Sequence, residues 1–377
     1  MNKTNNSKNP DPKLRHTIRE DFRKIDLRKD IHREYKNLSA FYLDSEKRKR
    51  LQSLPFYKRW FFKIGWLFKS MFLHLTPIRR ILVLVGMFLL FTGRSITIDH
   101  NSFTMNESLF GGILILFVLF LELKDKLLAK HELEAGRKVQ QALMPEQNPD
   151  FPGWTLWLFT KPANEVGGDL VDYLRVDDNK AALTMGDIAG KGLQAALLTS
   201  KLQSTVRALA SDDLSLPELG KKINKIFHRD SLPNLFASML FLEINSNSDK
   251  IEFINAGHFP PLIVKDKNIK ELEKGTAALG IIPDISFVQQ TIELESEEIF
   301  IVYSDGIFEA RNDNGEFFGM ERFYQLIKHY ANQNPSDMGN SIISQIEQFI
   351  GNSPFADDIS LIILKKTTEE PFPQHHN

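Results

Sequence analysis

The chain has 377 residues, of which 47 are Lys or Arg, 48 are Asp or Glu, and none is Cys. This length allows two or three domains of ordinary size, and a composition that is 42% hydrophobic and 25% charged suits a packed core. The absence of cysteine excludes a disulfide framework, a thiolate metal site and a cysteine nucleophile.

Charge is unevenly divided along the chain. Residues 1–80 carry 21 Lys and Arg against 8 Asp and Glu, whereas the remaining residues carry 26 against 40. A basic front part suits nucleic acid or an anionic membrane, and the segments that follow favour the membrane. Apolar residues recur at steps of three and four from Leu14 to Leu38 and predict an amphipathic helix. Packing of this helix on a neighbouring element is preferred over a nucleic-acid-binding arm.

The next segments predict membrane association. Residues 56–75 interleave aromatic, leucine and basic side chains, which is typical of a helix at a membrane surface. Two uncharged apolar runs follow, Ile81–Gly93 and Leu109–Leu121. Each is shorter than the roughly twenty residues that cross a bilayer comfortably, and a buried soluble helix is the alternative. Because neither run has a polar face and flanking residues extend both, the pattern predicts a two-span transmembrane hairpin over residues 77–123.

Basic residues flank the outer ends of this predicted hairpin. The positive-inside rule then predicts a protein of the cytoplasmic membrane, in contact with membrane lipids, with both termini in the cytoplasm. Residues 1–76 are predicted to form a basic, helical region before the hairpin, and residues 124–148 a connecting helix after it. A parallel homodimer along the connecting helix stays open, because its leucine spacing is too irregular to establish a coiled coil.

From Trp154 onward, short alternating runs separated by Gly and Asp predict strands, with four helices between them. The predicted strands are Thr155–Thr160, Ala181–Met185, Ala237–Glu243, Ile251–Asn255, Leu262–Lys265, Phe287–Glu293, Ile299–Ser304 and Ile359–Leu364. The predicted helices are Gln194–Ser211, Leu216–His228, Met320–Tyr330 and Pro335–Ile350. This order favours an α+β sandwich over a doubly wound parallel fold. The domain is predicted to cover residues 149–368, with a flexible tail over residues 369–377.

Aspartates stand at the ends of several predicted strands. They are Asp169, Asp187, Asp305 and the pair Asp357-Asp358. Hard divalent cations prefer oxygen ligands, adjoining glycines allow a close approach of the backbone, and paired ions can bind phosphate and activate water. Each motif alone is more often a turn. Their number and order nevertheless indicate a metal site.

Six ordered blocks within residues 154–366 resemble the metal-dependent serine/threonine protein phosphatases, in the bacterial branch named for stage II sporulation protein E. The blocks are KPANEVGGDLVDY (161–173), MGDIAGKGLQAALL (185–198), FASMLFLEIN (236–245), INAGHFPPLIV (254–264), IVYSDGIFEARNDNGEFFGMERF (301–323) and ADDISLIIL (356–364). The preceding GRKVQQALMPE (136–146) is similar to the helix that leads into this domain in the family.

The resemblance implies an α-β-β-α sandwich with two Mn²⁺ or Mg²⁺ ions between its sheets. It also implies that metal-bound water hydrolyses a phosphoserine or phosphothreonine ester without a phosphoenzyme. By motif position, Asp187 would bridge the ions and the backbone carbonyl of Ile188 would ligate one of them. Asp169 would hold one ion, and Asp305 and Asp357 would hold the other. Asp187 and Asp305 would be the catalytic residues.

Three further residues are weaker candidates. Asp358 is a second choice after Asp357 for the ligand position, since the family has paired aspartates and the first usually fits. Lys161 and Arg311 are candidate phosphate contacts, because the arginine used for phosphate capture in eukaryotic relatives has no clear counterpart in this sequence.

The sequence therefore predicts a membrane-anchored protein phosphatase whose substrate, by family resemblance, is a phosphorylated anti-sigma-factor antagonist. A catalytically inactive membrane scaffold that keeps the phosphatase fold is the main alternative. A membrane sensor in the front 120 residues is compatible with the membrane-anchored phosphatase. Nucleic-acid binding by residues 14–59 is the least favoured, so no nucleic-acid partner is predicted.

Overall fold

The computed structural model describes residues 55–92, 95–98, 103–212, 214–295 and 297–367. The predicted amphipathic helix from Leu14 to Leu38, most of the predicted basic region and the predicted tail lie outside these residues. The described residues fall into two compact units, which divide between Leu127 and Leu128.

The first unit is built from helices and one short hairpin. Its elements are α1 (Phe56–His74), α2 (Pro77–Thr92), β1 (Ser95–Ile98), β2 (Phe103–Asn106) and the start of α3 (Glu107–Leu143). The strands pair antiparallel, with Ser95 opposite Asn106. Helix α1 coincides with the helix predicted for residues 56–75.

Two glycines let α2 and α3 approach closely. A Cβ atom on Gly111 would lie 2.5 Å from the backbone oxygen of Gly86, so a larger residue would push the helices apart. Near the start of α2, the Arg79 guanidinium donates to Glu122 and Asp125, each at 2.7 Å. Glycine contact and paired charges thus hold the two helices side by side.

The predicted transmembrane hairpin, and with it the predicted location in the cytoplasmic membrane, is wrong. None of the helices in the described residues combines the length and the apolar character that crossing a bilayer requires. Helix α2 has 16 residues, or about 24 Å, against a hydrocarbon core of about 30 Å. Residues 95–98, which were expected to lengthen it, form β1 instead. The second apolar run is bounded by Glu107, Glu122 and Lys124 within the longer α3.

The second unit contains two five-stranded sheets. The first, called sheet A, has the order β10-β7-β6-β5-β4 and comprises β4 (Asp169–Arg175), β5 (Lys180–Ile188), β6 (Ala237–Asn245), β7 (Lys250–Ala256) and β10 (Gln289–Glu293). The second, called sheet B, has the order β3-β12-β11-β8-β9 and comprises β3 (Trp154–Lys161), β8 (Leu262–Lys265), β9 (Asn268–Glu271), β11 (Ile299–Tyr303) and β12 (Ile359–Lys366). Neighbouring strands are antiparallel throughout both sheets.

Helices cover the outer face of each sheet. Two of them, α4 (Leu193–Ala210) and α5 (Leu216–Asp230), pack on sheet A, while α6 (Met320–Tyr330) and α7 (Pro335–Ile350) pack on sheet B. A third apolar cluster fills the space between the sheets. The layers are therefore α-β-β-α, and each sheet is buried on both faces.

Burial on both faces explains the nearly continuous apolar run of β12. Leu361 and Ile363 face the helices on sheet B, whereas Ile362 and Leu364 face the other sheet. Successive strand residues point to opposite faces, so a strand between two apolar layers needs apolar residues at both. Ser360 interrupts this run and is fully buried.

The predicted α+β sandwich is confirmed. All eight predicted strands and all four predicted helices of this domain are present, and the bounds of α6, α7 and β8 agree with the prediction. Two strands, β4 and β9, are not among the eight predicted ones. Strand β9 is short and its sequence, NIKE, is largely polar, as suits an exposed edge strand.

The contact between Gly339 in α7 and Trp157 in β3 yields a stability prediction. Trp157 is fully buried, and a Cβ atom on Gly339 would overlap its indole ring. We expect Gly339→Ala to lower the free energy of unfolding by about 1–3 kcal/mol through overpacking, measured by urea denaturation. Ser344→Ala, on the exposed side of α7, should stay within about 0.5 kcal/mol of wild type. Equal effects of the two substitutions would contradict this packing.

Candidate active site

Strand pairing within sheet A brings two predicted ligands together. Asp169 at the start of β4 is paired with Asp187 near the end of β5. Gly168 lies beside them, and a Cβ atom there would be in ordinary contact with the backbone oxygen of Ile188 at 3.4 Å and with Asp187 Oδ1 at 3.5 Å. The Ile188 carbonyl and the Asp187 carboxylate thus face the same small space.

Sheet B brings the other aspartates to the same region. Asp305 lies two residues after the end of β11, and Asp357 lies two residues before the start of β12. These strands are antiparallel neighbours, with Tyr303 opposite Leu361, so the end of one meets the start of the other. Gly306 allows these two strand ends to contact each other, because a Cβ atom on residue 306 would overlap the backbone of Asp358.

The clustered carboxylates disfavour one another's charge. Burial, followed by the charges of Asp305, Asp357 and Asp358, raises the pKa of Asp187 to about 7. Burial also raises the pKa of Asp169 well above its usual value, and the charge of Asp187 adds to this effect. The pKa of Asp305 is raised by burial and then by Asp357. Like charges held this close favour either protonation or a bound cation.

Asp358 differs from the other carboxylates. It is 7% exposed, and its two oxygens accept hydrogen bonds from the backbone N–H groups of Ala163 at 2.7 Å, Gly168 at 2.6 Å and Asp169 at 3.2 Å. Charge-assisted bonds of this kind are short and strong. Asp358 therefore positions the loop that carries Asp169.

Two hydroxyl groups complete the support of this loop. Ser360 Oγ donates to Asp169 Oδ2 at 2.5 Å, and Thr199 Oγ1 donates to the backbone oxygen of Gly168 at 2.7 Å. Sequence reasoning missed both residues. For Ser360 a signal was present, since it is a small polar residue inside an otherwise apolar strand, where burial requires a partner.

Lys191 brings a positive charge to the cluster. Its ammonium lies 2.9 Å from Asp357 Oδ2 and 3.3 Å from the backbone oxygen of Ala356. The bond with Asp357 is the main cause of the raised pKa of Lys191. The turn around it requires positive φ at Gly190 (131°) and Gly192 (76°), which glycine adopts without strain. No role was predicted from the sequence for this Gly-Lys-Gly turn.

The two basic residues proposed from sequence as phosphate contacts have other partners. Lys161 Nζ lies 2.6 Å from Glu347 Oε1 and above the ring of Phe355, and the guanidinium of Arg311 stacks on Phe317.

Mg²⁺ and Mn²⁺ prefer oxygen ligands. The predicted ligands offer such oxygens, namely the carboxylates of Asp169, Asp187, Asp305 and Asp357 and the backbone carbonyl of Ile188. Across the described ranges, no three acidic or imidazole side chains are arranged so as to hold an ion. Ser360 engages Asp169, and Lys191 engages Asp357. The ligand set stays a prediction.

The fold is that of the PP2C-type phosphatases. The SiaA-PP2C domain of Pseudomonas aeruginosa superposes with a TM-score of 0.56 at 17% identity, covering 64% of this chain and 99% of that domain. At this identity the likeness concerns the fold alone.

Residues 177–367 match the family described as Stage II sporulation protein E (SpoIIE). Because the match covers half of the chain, the chain belongs to this family, and the predicted family is confirmed. Two similar proteins are IcfG from Synechocystis sp., 30% identical over 261 residues, and the phosphoserine phosphatase RsbU from Bacillus subtilis, 25% identical over 239 residues. The alignments cover 61% of this chain and 41% of IcfG, and 63% of this chain and 70% of RsbU.

This membership confirms the predicted enzyme class at the level of the family, since RsbU is a phosphoserine phosphatase. The matched residues 177–367 all lie in the second unit. The alignment reaches less than half of IcfG, so the likeness to that protein concerns a part of it.

The raised pKa of Asp187 predicts a pH-dependent stability of the metal-free protein. Its pKa rises from 3.8 to about 7, so its contribution to stability is fully present below the lower value. That contribution is lost as pH rises through the higher value. Asp187→Asn removes this ionisation. We expect the variant to gain about 2 kcal/mol over wild type between about pH 5 and about pH 8, measured by urea unfolding in EDTA.

The exposed Asp284 supplies the control for this prediction. Asp284→Asn should follow the wild-type curve at both pH values, because it removes an exposed carboxylate outside the cluster. A constant difference between Asp187→Asn and wild type across this pH range would show that the cluster does not destabilise ionised Asp187.

Proposed function

We propose that the chain is a metal-dependent protein phosphatase that hydrolyses phosphoserine or phosphothreonine in a regulatory protein. The observation that carries this proposal is the meeting of Asp169 and Asp187 from sheet A with Asp305 and Asp357 from sheet B. Membership in the SpoIIE family supports it.

Two Mn²⁺ or Mg²⁺ ions are the proposed cofactors. Asp187 would be a ligand of both ions. Asp169 and the Ile188 carbonyl would be the other ligands of one ion. Asp305 and Asp357 would be the other ligands of the second ion. When bound, such ions supply Lewis-acid chemistry, neutralising the phosphate and lowering the pKa of water. Asp187 and Asp305 are the proposed catalytic residues, because they would hold the cations against the substrate.

The residues around the ligands orient them. Asp358 fixes the backbone of Gly168 and Asp169, and Ser360 fixes one oxygen of Asp169. Outer partners of this kind keep a carboxylate in one rotamer and limit the loss of entropy on metal binding.

The surface beside the site suits a protein substrate. Leu193 and Leu197, one turn apart on α4, are 50% and 63% exposed, and Phe236 is 42% exposed. The backbone oxygen of Phe236 accepts from Ala189, two residues after Asp187, which places this strand end next to the site. Exposed apolar groups at an active-site rim indicate a macromolecular partner. A phosphorylated anti-sigma-factor antagonist is the proposed substrate. A homodimer along α3 stays a prediction.

Phosphate release by the full chain tests the enzymatic proposal. We expect Mn²⁺-dependent hydrolysis of p-nitrophenyl phosphate and of a phosphoserine peptide. Asp305→Asn should lower kcat/KM at least about a hundredfold, because it removes a negatively charged oxygen ligand. Asp284→Asn serves as the control, because it removes the same charge from an exposed site distant in sequence. A folded wild-type chain that binds Mn²⁺ without turnover would instead indicate the inactive scaffold.

The exposed leucines of α4 give a second test, which concerns the substrate. Leu197→Asp places a charge on the proposed docking surface without touching the carboxylates. We expect it to lower kcat/KM about tenfold for a serine-phosphorylated antagonist domain that wild type dephosphorylates. Hydrolysis of p-nitrophenyl phosphate should be unchanged, since this small ester needs no docking surface. Equal losses on both substrates would mean that the substitution disturbs the site itself.

A further inference from the structure

Lys191 occupies a position that no ligand assignment explains. Its side chain is 62% exposed, yet its ammonium is bonded to Asp357, one of the proposed metal ligands. The negative charges of Asp358 and Asp305 also act on it. A solvent-exposed cation therefore lies at the mouth of the carboxylate cluster.

The pairing of Lys191 and Asp357 conflicts with metal binding. A divalent cation and the ammonium would compete for the same Asp357 oxygen, and the two positive charges would repel each other at this distance. Ion pairs at exposed sites are weak, so a divalent cation can displace the ammonium. The lysine would then lose its carboxylate partner while staying tethered to the turn between Gly190 and Gly192.

We propose that Lys191 is a phosphate-binding residue of this site, with Asp357 as its partner only before the metal binds. This inference rests on the proposed function. Once released, the ammonium is a point charge on a flexible four-carbon stem beside the place where a phosphoryl group would meet the ions. It donates hydrogen bonds to a nonbridging phosphate oxygen, as lysines do at other phosphate sites.

Other basic residues in the described part of the domain fit this role less well. Lys161 and Arg311 have the partners described above, and Arg207 is bonded to the buried Asp172. Lys191 also lies two residues before α4 (Leu193–Ala210), whose N-terminus adds partial positive charge to the same side of the site.

Two binding experiments on the full chain test the proposal without relying on turnover. Calorimetry measures Mn²⁺ binding to the metal-free protein, and then inorganic phosphate binding to the Mn²⁺-loaded protein. We expect Lys191→Gln to bind Mn²⁺ about two- to fivefold more tightly, because a competing and repelling charge is gone. It should bind phosphate about tenfold more weakly, because a charged hydrogen bond is lost.

Two variants serve as controls. Lys191→Arg keeps the charge, and its phosphate affinity should stay within about threefold of wild type. Lys201→Gln removes a lysine of α4 that pairs with Asp230 away from the cluster, and both of its affinities should equal those of wild type. Urea unfolding checks that all variants are folded.

The outcomes separate this inference from the proposed function. Unchanged Mn²⁺ and phosphate affinities in Lys191→Gln would overturn the inference, even where wild type hydrolyses phosphoserine. The expected affinity changes in a protein without turnover would support the role of Lys191 and overturn the proposed activity. A wild-type chain that binds no Mn²⁺ would overturn both. Weaker phosphate binding in Lys201→Gln equal to that in Lys191→Gln would show a general effect of charge and would also overturn the inference.

Discussion

The carboxylate of Asp358 is the contact on which the site depends. It belongs to the segment that opens β12 in sheet B, and it accepts three backbone N–H groups from the loop between β3 and β4, which leads into sheet A. These N–H groups lie in a partly buried loop and would be costly to leave unpaired. One side chain therefore satisfies the loop and joins the two sheets where their strands end. Together with the hydrogen bond from Ser360 to Asp169, it sets the position of Asp169 relative to the carboxylates of sheet B.

This arrangement places the domain under electrostatic strain. The sandwich fold buries strand ends that carry aspartates, and burial is the largest cause of the raised pKa of Asp169, Asp187 and Asp305. A core selected for stability alone would not hold carboxyl groups at this edge. The apolar clusters on both faces of each sheet stabilise the fold and offset this destabilisation. Such a balance is common where a site needs charge that only a cation can neutralise.

The elements of the domain could be predicted from regular spacing of apolar residues. Contacts between residues far apart in the sequence could not be predicted in this way. The apolar residues of α6 and α7 recur at helical spacing, and the apolar run of β12 is typical of a buried strand. The positions of these three elements were therefore predicted correctly. Gly-Asp motifs at strand ends located the aspartates, but the roles of Asp358 and Lys191 depend on partners far along the chain. The hairpin prediction failed for a local reason. It added residues 95–98 to the first apolar run, and these pair with 103–106 as strands.

The end of α3 is joined to the same loop that Asp358 fixes. The amide of Gln140 makes two hydrogen bonds with the backbone of Gly167, at 3.0 and 3.1 Å, and Gly167 directly precedes Gly168. Two residues of α4, Gln203 and Arg207, donate to the backbone oxygen of Leu143, each at 3.0 Å. Helix α3 therefore ends on the loop of Asp169 and on the helix that follows Asp187. Its last turn cannot shift without breaking hydrogen bonds to the loop before Asp169 and to α4. Within this domain, the helix end is thus part of the support of the site, and the loop geometry that Asp358 sets from sheet B is also set from α3.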